Sequence, residues 1–226
     1  MKNLTAVILC GGKGMRLRPL TNDIPKPLVE INNKPILYYI INHLLKYNIK
    51  DFVIATGYKS GMIKKFMENN FSNIKYRIID SGDVDILKRI KDCVEYINND
   101  FILCYGDTIS NIDIKKLIDF HKIQSESVTI TSYPITIPFG VMMLNKEKVV
   151  ESFDEKPRLQ HVMNIGYYYF PKSKFEIIIN SDNLINVINK LIEQKLLRCF
   201  EHNKIHITIN TLSELEYAEK NITEIF

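Results

Sequence analysis

A pair of glycines and several cations follow a short hydrophobic run near the start of the chain. Residues 11–14 have the sequence Gly-Gly-Lys-Gly after Cys10, and Arg16 and Lys26 lie further along the same segment. Glycines let the backbone come close to a ligand, and consecutive N–H groups form a nest for phosphate. Arginine offers paired contacts to phosphate oxygens, and lysine offers a compact positive charge. The segment therefore indicates a phosphate-binding loop, with a solvated glycine turn as the alternative interpretation.

Two common phosphate-binding motifs do not fit this loop. A P-loop needs a glycine followed by Lys-Ser or Lys-Thr, and no glycine of the loop has that neighbour. The dinucleotide motif G-x-G-x-x-G would start at Gly12, but its third glycine is replaced by Leu17. Any phosphate-binding role must therefore belong to another class of loop.

The elements around this loop alternate between strands and helices. Residues 35–48 begin with proline, which favours a first helical turn, and continue with apolar side chains at helical spacing. The predicted strands are residues 5–10, 51–56, 75–80, 101–105 and 127–133, and the further predicted helices are residues 61–69, 85–97 and 113–124. This alternation predicts an α/β fold, with a mostly parallel sheet flanked by helices.

The second half of the chain has a different pattern. Its predicted strands are residues 139–144, 149–153, 166–170, 197–201 and 205–209, some of them close enough in sequence to pair antiparallel. Ser213 and Glu216 have the spacing of a capping box for a last helix. We predict one domain over residues 1–226, in which both halves, 1–133 and 134–226, share one mixed sheet.

Composition excludes several classes of protein. The chain has 226 residues, a net charge of +4 and no apolar stretch near the roughly 20 residues that span a bilayer, so we expect neither a nucleic-acid nor a membrane partner. Four cysteines lie far apart without a C-x-x-C pair, which predicts reduced core thiols and a cytoplasmic location.

The segment "LCGGKGMRLRPLTNDIPKPLVEINNKPIL" resembles the signature of the sugar-1-phosphate nucleotidyltransferases, most closely of the glucose-1-phosphate cytidylyltransferases. "YGDTISNIDIKKLIDFHK", "FDEKP", "NIGYYYF" and "FEHNKIHITINTLSELEYAEK" follow in the family's order, so the resemblance covers almost the whole chain. It implies a Rossmann-like nucleotidyltransferase fold with a nucleotide-binding half, 1–133, and an acceptor-binding half, 134–226. The implied partners are CTP and a small phosphorylated acceptor, and a homodimer is left open.

The resemblance also implies roles for particular residues. Arg16 and Lys26 hold the phosphates, and Asp107 binds Mg²⁺ beside the α-phosphate. Asn210 lies where the cytidylyltransferases usually have Asp, so it is either a neutral second metal ligand or a helix-entry residue. The nucleotide is held by Leu9, Gly11, Gly12, Lys13, Gly14 and Gly106, and the acceptor by Glu155, Lys156, Asn164 and Gly166.

Two departures from the family concern the acceptor. A long insertion that follows the family's counterpart of residues 66–71 is missing, and Val84-Asp85-Ile86 replaces Gly-Gly-Arg. Lys88 and Arg89 remain, with a solvated helix face as the alternative for both. The CTP:phosphoglutamine cytidylyltransferases of the capsular polysaccharide phosphoramidate pathway offer a smaller acceptor, L-glutamine phosphate. Glucose or heptose 1-phosphate is the alternative acceptor, and a non-catalytic nucleotide-sensing module is the alternative of another class.

Overall fold

The fold is built on one central sheet with helices on both of its faces. The computed structural model of the chain describes residues 4–123 and 126–225. In chain order the strands are β1 (Thr5–Leu9), β2 (Glu30–Ile31), β3 (Lys34–Pro35), β4 (Asp51–Thr56), β5 (Lys75–Asp80), β6 (Phe101–Tyr105), β7 (Thr108–Ser110), β8 (Val128–Thr136), β9 (Val141–Leu144), β10 (Val150–Asp154), β11 (Arg158–Phe170), β12 (Leu197–Glu201) and β13 (His206–Thr208). The helices are α1 (Leu20–Asp23), α2 (Ile36–Lys46), α3 (Ser60–Asn70), α4 (Ile86–Val94), α5 (Ile114–Ile123), α6 (Phe175–Ile179), α7 (Leu184–Glu193) and α8 (Leu212–Asn221).

The central sheet has seven strands in the order β12-β8-β11-β6-β1-β4-β5. β1 runs parallel to β4 and β6, with Leu9 opposite both Ala55 and Tyr105. β11 is antiparallel to its neighbours β6 and β8, and the other strands share one direction. The mixed, mostly parallel sheet is therefore confirmed. Because β1, β4 and β6 end level with one another, the loops that follow them meet at one edge, where ligands bind in open α/β sheets.

Alternate residues of the central strands face opposite sides of the sheet. Ala6 and Ile8 of β1 belong to one buried cluster, and Val7 belongs to the other. Helices α2, α3, α5 and α8 supply apolar side chains to the first cluster, and α4, α6 and α7 supply them to the second. Among the described residues, no helix combines the length and the apolar character needed to cross a bilayer.

The elements predicted in the first half are confirmed within a few residues. Strands 51–56, 75–80 and 101–105 match β4, β5 and β6, while the strand predicted from residue 127 to 133 extends to Thr136. The four predicted helices correspond to α2, α3, α4 and α5, although the predicted end of the last, Gln124, lies outside the described residues. The pattern was sufficient here because the helices bury one apolar face, while the central strands are short continuous apolar runs that are buried on both faces.

The strands of the second half differ more from the prediction. β9 and β10 pair antiparallel as expected. β11 begins at Arg158 and is far longer than the predicted strand 166–170. The prediction missed its first seven residues because they are exposed or half-buried and lack an apolar alternation. β13 falls within the predicted strand 205–209, but it pairs with β7 in a separate two-stranded sheet.

The capping box of α8 lies two residues before the predicted one. Thr211 precedes the helix with an extended backbone and accepts a hydrogen bond from Glu214 N at 3.3 Å. The Glu214 carboxylate accepts in return from Thr211 N at 2.8 Å. The prediction of Ser213 and Glu216 was wrong because both pairs have the same three-residue spacing, and only the backbone distinguishes them. Helices α6 and α7 were not predicted.

The cysteines are free thiols, but they do not all lie in the core. Cys10, Cys93 and Cys104 are buried, as predicted, whereas Cys199 is exposed on the edge strand β12. The prediction was wrong for Cys199 because residues of an edge strand can face solvent even beside an apolar neighbour such as Phe200.

Candidate active site

The loop after β1 and the loop after β6 meet at the carboxyl edge of the sheet. Gly106 N donates a hydrogen bond to Leu9 O at 3.0 Å, and Cys10 N donates to Ala55 O at 2.7 Å. A side chain at Gly106 would collide with the Leu9 carbonyl. Glycine is therefore required at position 106, and it lets the two loops lie side by side.

The glycine loop after β1 combines a left-handed turn at Gly14 with an open surface at Gly12. Gly14 has φ of 62°, a conformation that glycine adopts readily, and its carbonyl accepts from Thr21 Oγ1 at 2.8 Å. Gly12 is exposed, and a Cβ built on it would meet no atom within 4 Å. Lys13 Nζ lies 2.5 Å from Asp83 Oδ2. The backbone around Gly12 is thus free to contact a ligand.

Four predicted site residues from distant parts of the chain form one cluster beside this loop. Lys26 Nζ lies 2.5 Å from Asp107 Oδ2 and 2.8 Å from Asn210 Oδ1. Arg16 Nη2 donates to the same Asn210 oxygen at 2.7 Å. The cluster therefore joins two cations, one carboxylate and one amide oxygen.

Backbone hydrogen bonds hold the members of this cluster in place. Lys26 begins a short 3₁₀ turn, Lys26–Leu28, that directly follows Pro25. Ile209 N donates to Asp107 O at 3.0 Å, and Asn210 N donates to the Glu214 carboxylate at 2.7 Å. The side chains of Lys26 and Asp107 are only 12% and 27% exposed. Their interaction is therefore screened less by water than that of a surface pair.

The buried titratable groups around the cluster are electrically neutral near pH 7. Burial, reinforced by the Asp107 charge, raises the pKa of the Cys10 thiol far above its usual range. Burial, and secondly His202, lowers the pKa of His206 to about 4, although Asp107 opposes the shift. Cys10 is consequently not a thiolate nucleophile, and the charge of the cluster comes from Arg16, Lys26 and Asp107.

The sequence profile of the nucleotidyl transferase family matches residues 5–221. The chain belongs to this family. A glucose-1-phosphate cytidylyltransferase of Salmonella typhimurium is 33% identical to it over 247 residues, which cover 96% of this chain and 95% of that protein. A D-glycero-alpha-D-manno-heptose 1-phosphate guanylyltransferase of Campylobacter jejuni is 32% identical over 176 residues, covering 76% and 78%.

A solved structure supports the fold of this nucleotidyltransferase. It is a Bacillus anthracis protein provisionally assigned as a glucose-1-phosphate thymidylyltransferase, in complex with sucrose. The TM-score is 0.79 at 21% identity, over 96% of this chain and 94% of that chain. This likeness concerns the fold alone. The profile match and the sequence relatives confirm the family predicted from the motifs, and the chain is an enzyme of the nucleotidyltransferase class.

The nucleotidyltransferase carries few groups that could bind a metal ion. Within residues 4–123 and 126–225, no three His, Cys, Asp or Glu side chains are grouped as in a metal site. Asp107 and Asn210 nevertheless present one oxygen each within 2.8 Å of the same Lys26 nitrogen. One carboxylate and one amide oxygen fit a hard divalent cation that takes its other ligands from water and phosphate.

Two predicted acceptor residues lie beside the loop after β6. Gly166 on β11 has φ of 78°, and a side chain on it would collide with the Tyr105 ring. Gly166 N donates to Asn164 Oδ1 at 3.0 Å, and the Asn164 amide group donates to the Tyr168 hydroxyl. Asn164 and Gly166 are therefore fixed by a local network next to the end of β6, which leads into Gly106 and Asp107.

The other two predicted acceptor residues are not part of this cluster. Glu155 and Lys156 lie on the connection between β10 and β11, where both are exposed and Lys156 has φ of 49°. In the described ranges, no hydrogen bond or ion pair joins either residue to Arg16, Lys26 or Asp107. Their side chains can reach a ligand only from the rim of the site.

Arg89 is a residue that the sequence indicated only weakly. It was predicted to be either a ligand-side cation or part of a solvated helix face together with Lys88. The structure buries Arg89 to 4% exposure, whereas Lys88 is exposed and pairs with Asp92. A usable signal is helical spacing, because Arg89 lies four residues before the buried Cys93 on α4.

A sizeable cavity lies at the opposite edge of the sheet. Its volume is about 760 Å³, and its lining includes residues that precede β1, β4 and β6, such as Leu4, Lys50 and Asp100. This is the amino-terminal edge of the parallel strands, away from the glycine loop and Asp107. The candidate site formed by Arg16, Lys26, Asp107 and Asn210 is therefore separate from this cavity.

Proposed function

We propose that this nucleotidyltransferase transfers CMP from CTP to a small phosphorylated acceptor and releases pyrophosphate. The observation that carries the proposal is the cluster of Arg16, Lys26, Asp107 and Asn210 beside an open glycine loop. Such a cluster offers positive charge and a metal ligand where a triphosphate would lie. The choice of CTP rests on the likeness to a glucose-1-phosphate cytidylyltransferase over 96% of the chain.

In this proposal the nucleotide is held largely by backbone groups. Gly12 is open to solvent, so its N–H group can face a phosphate oxygen. Lys13 is exposed and paired only with Asp83, which allows its ammonium group to turn toward the ligand. The residues assigned to nucleotide binding are Leu9, Gly11, Gly12, Lys13, Gly14 and Gly106.

We further propose that Asp107 and Asn210 hold Mg²⁺. The ion supplies charge stabilisation for the phosphate oxygens when it is bound. Asn210 contributes a neutral oxygen, so we expect a lower affinity than two carboxylates would give. Lys26 can then leave Asp107 and turn to a phosphate, because its stem is flexible and its charge needs an anionic partner.

The transfer step needs no covalent intermediate on the protein. A phosphate oxygen of the acceptor attacks the α-phosphorus in line and forms the new P–O bond. The bond from the α-phosphorus to the oxygen bridging to the β-phosphorus breaks, and pyrophosphate leaves with that electron pair. Arg16 and Lys26 stabilise the charge that develops on the leaving group, and the loops fix the reacting groups in position.

The first candidate for the acceptor is L-glutamine phosphate. Its carboxylate and amino groups could meet the opposite charges of Lys156 and Glu155, which are exposed on adjacent residues. The chain lacks both the long insertion and the arginine of the glucose-1-phosphate cytidylyltransferases, which favours a smaller acceptor. Asn164 and Gly166 would line the side nearest to Asp107.

The second candidate is a sugar 1-phosphate. It is favoured by the similar proteins, which are named for glucose 1-phosphate and for D-glycero-alpha-D-manno-heptose 1-phosphate. The guanylyl name of the second relative also makes GTP the first competitor of CTP. Both acceptor classes require the same Asp107 cluster, so the choice depends on the residues near Glu155 and Asn164.

A substrate screen tests the proposal. Each of the four nucleoside triphosphates is mixed with Mg²⁺ and with L-glutamine phosphate, glucose 1-phosphate or heptose 1-phosphate, and pyrophosphate release is measured. We expect CTP to give the highest rate, because each unpaired buried polar group opposite another base costs about 1–3 kcal/mol. We expect L-glutamine phosphate to exceed glucose 1-phosphate.

The possible outcomes separate the parts of the proposal. Rapid CDP-glucose formation without CDP-glutamine contradicts the acceptor but keeps the transferase. A preference for GTP contradicts the cytidylyl assignment. Tight CTP binding with no pyrophosphate release from any acceptor would favour the nucleotide-sensing alternative.

A further inference from the structure

We propose that Arg89 is a positioning residue for the nucleotide, which acts through the glycine loop. Its guanidinium group is buried behind the glycine loop, on the side away from the proposed ligand. There it fixes the backbone of the neighbouring loops and places a positive charge close to the phosphates. The inference deepens the proposed function, because it assumes that a phosphorylated nucleotide lies on this loop.

The guanidinium group connects the loops that follow two parallel strands. Arg89 Nη1 donates to the carbonyl of Thr56, the last residue of β4. Nη2 donates to Gly82 O at 3.0 Å and to Val84 O at 3.3 Å, both in the segment between β5 and α4. All three acceptors are backbone carbonyls, so the contacts fix the course of the chain at the edge of the site.

Two glycines make room for this guanidinium group. A Cβ atom built on Gly11 would overlap the central carbon of the group, and one built on Gly57 would approach its two terminal nitrogens. Gly11 is buried, whereas its neighbour Gly12 is exposed and open. The two adjacent glycines therefore differ in role. Gly11 leaves room for the Arg89 guanidinium group on the buried side of the loop, and Gly12 leaves room for a ligand on the exposed side.

No carboxylate forms a direct ion pair with Arg89 in the described part of the chain. The ion pairs found within residues 4–123 and 126–225 do not include it, although only 4% of the residue is exposed. Asp92, three residues further along α4, interacts with its charge without a direct contact and is itself paired with Lys88. A buried charge is unfavourable unless it is compensated, and carbonyl dipoles and a more distant carboxylate compensate it only in part. A phosphate group on the other side of Gly11 would supply further negative charge across a thin layer of backbone.

A purely structural tie is the competing explanation, and the test must distinguish the two. The variants are Arg89→Met, Arg89→Lys and Arg89→Ala. The matched control is Lys88→Met, which removes the same charge from the exposed face of the same helix. Isothermal titration calorimetry measures the Kd of CTP with Mg²⁺ and, separately, the Kd of inorganic pyrophosphate. Circular dichroism and thermal unfolding check the fold of each variant.

We expect Arg89→Met to raise both Kd values by at least about tenfold, since a charged hydrogen-bond donor is lost from under the phosphates. Arg89→Lys should lie between this variant and the wild type, and Lys88→Met should change either Kd by less than about twofold. In Arg89→Ala, added guanidinium should restore binding, whereas urea, its uncharged isostere at the same concentration, should not.

Two results would overturn the inference. One is a folded Arg89→Met enzyme that binds CTP and pyrophosphate with wild-type affinity. The other is equal rescue of Arg89→Ala by urea and by guanidinium, which would reduce the role of the residue to filling space. If the wild type binds pyrophosphate but not CTP, the proposal that CTP is the substrate fails. The role of Arg89 is then still tested by the Kd of pyrophosphate.

Discussion

Lys26 is the residue on which the cluster depends. Its ammonium group contacts Asp107 and Asn210 at once, while Arg16 approaches Asn210 from the other side. Removing Lys26 or Arg16 takes away one of the two positive charges that contact the Asp107 and Asn210 oxygens. The consequences should appear in turnover rather than in folding, because both cations lie outside the central sheet.

Lys26→Ala and Arg16→Ala should each lower turnover by at least about tenfold, which corresponds to about 1.4 kcal/mol of lost stabilisation of the pyrophosphate leaving group. Pyrophosphate release measures the effect. Lys64→Ala, on the exposed face of α3, is the control cation and should be close to wild type. Near-normal turnover of either site variant, with unchanged circular dichroism, would assign that residue to a solvated loop.

Asp107 and Asn210 differ in charge, and this difference can be tested in both directions. Asp107→Asn should abolish the Mg²⁺-dependent rate, because the carboxylate that contacts Lys26 is replaced by an amide. Asn210→Asp should shift the Mg²⁺ titration of the rate to lower concentration, because a second carboxylate is added. An unchanged Mg²⁺ titration for Asn210→Asp would leave Asn210 with its structural role at the entry to α8.

At the scale of single elements, the start of α8 supports the site. The Glu214 carboxylate accepts hydrogen bonds from Asn210 N at 2.7 Å and Thr211 N at 2.8 Å. The same carboxylate therefore caps the helix and fixes the backbone of a proposed metal ligand. The hydrogen bond to Glu214 fixes Asn210 to the start of α8. Helix α8 in turn packs on the core through the buried Ala218.

Glu214→Ala should lower the free energy of unfolding by about 1 kcal/mol, the usual size for the loss of a helix cap. Glu216→Ala is the matched control: it removes the same side chain two residues later, from an exposed position, and should stay within about 0.5 kcal/mol of wild type. Urea unfolding followed by circular dichroism measures both. Equal effects of the two substitutions would contradict the observed capping box.

At the scale of the whole molecule, the cluster of Arg16, Lys26, Asp107 and Asn210 and the cavity of about 760 Å³ occupy opposite edges of one sheet. The carboxyl edge collects charged side chains and glycines from loops across the whole chain. Between the two edges the core contains several buried imidazoles. Burial lowers the pKa of His43 to about 4, and burial followed by His202 does the same for His206.

These imidazoles predict that the protein loses stability in weak acid. An unfolded histidine has a pKa of about 6.5, so the unfolded chain binds protons that the folded chain cannot accept. The free energy of unfolding should therefore fall as the pH drops from about 6.5 toward about 4. Urea midpoints across this range measure the fall. His206→Gln should reduce the slope, and an unchanged slope in this variant would contradict the assignment to this imidazole.

The sequence was informative where a residue's chemistry or spacing is local. The alternation of elements, the glycine loop and the identities of Arg16, Lys26, Asp107 and Asn210 all follow from short segments. The helical spacing from Arg89 to Cys93 indicates its buried face, but its contacts could not be predicted, because the space for its guanidinium group comes from Gly11 and Gly57 in two other loops. The exposed first half of β11 was missed because an exposed strand has no apolar alternation that would distinguish it from a loop. The cap at Thr211 was missed because the pairs Thr211–Glu214 and Ser213–Glu216 have the same spacing.

β11 has one further consequence, which concerns how such an enzyme could change its substrate. Its buried half, Ile165–Phe170, belongs to the core, while its exposed half carries Asn164 and extends toward β9 and β10, with a break in register on β8 between Asn164 and Tyr168. Mutations before Asn164 alter an exposed strand, whereas Asn164 itself is hydrogen-bonded to Gly166 and Tyr168 of the buried half. If the proposed assignment holds, we expect the proposed acceptor side to diverge over residues 137–163 while Asn164 and the proposed nucleotide-binding loops are kept.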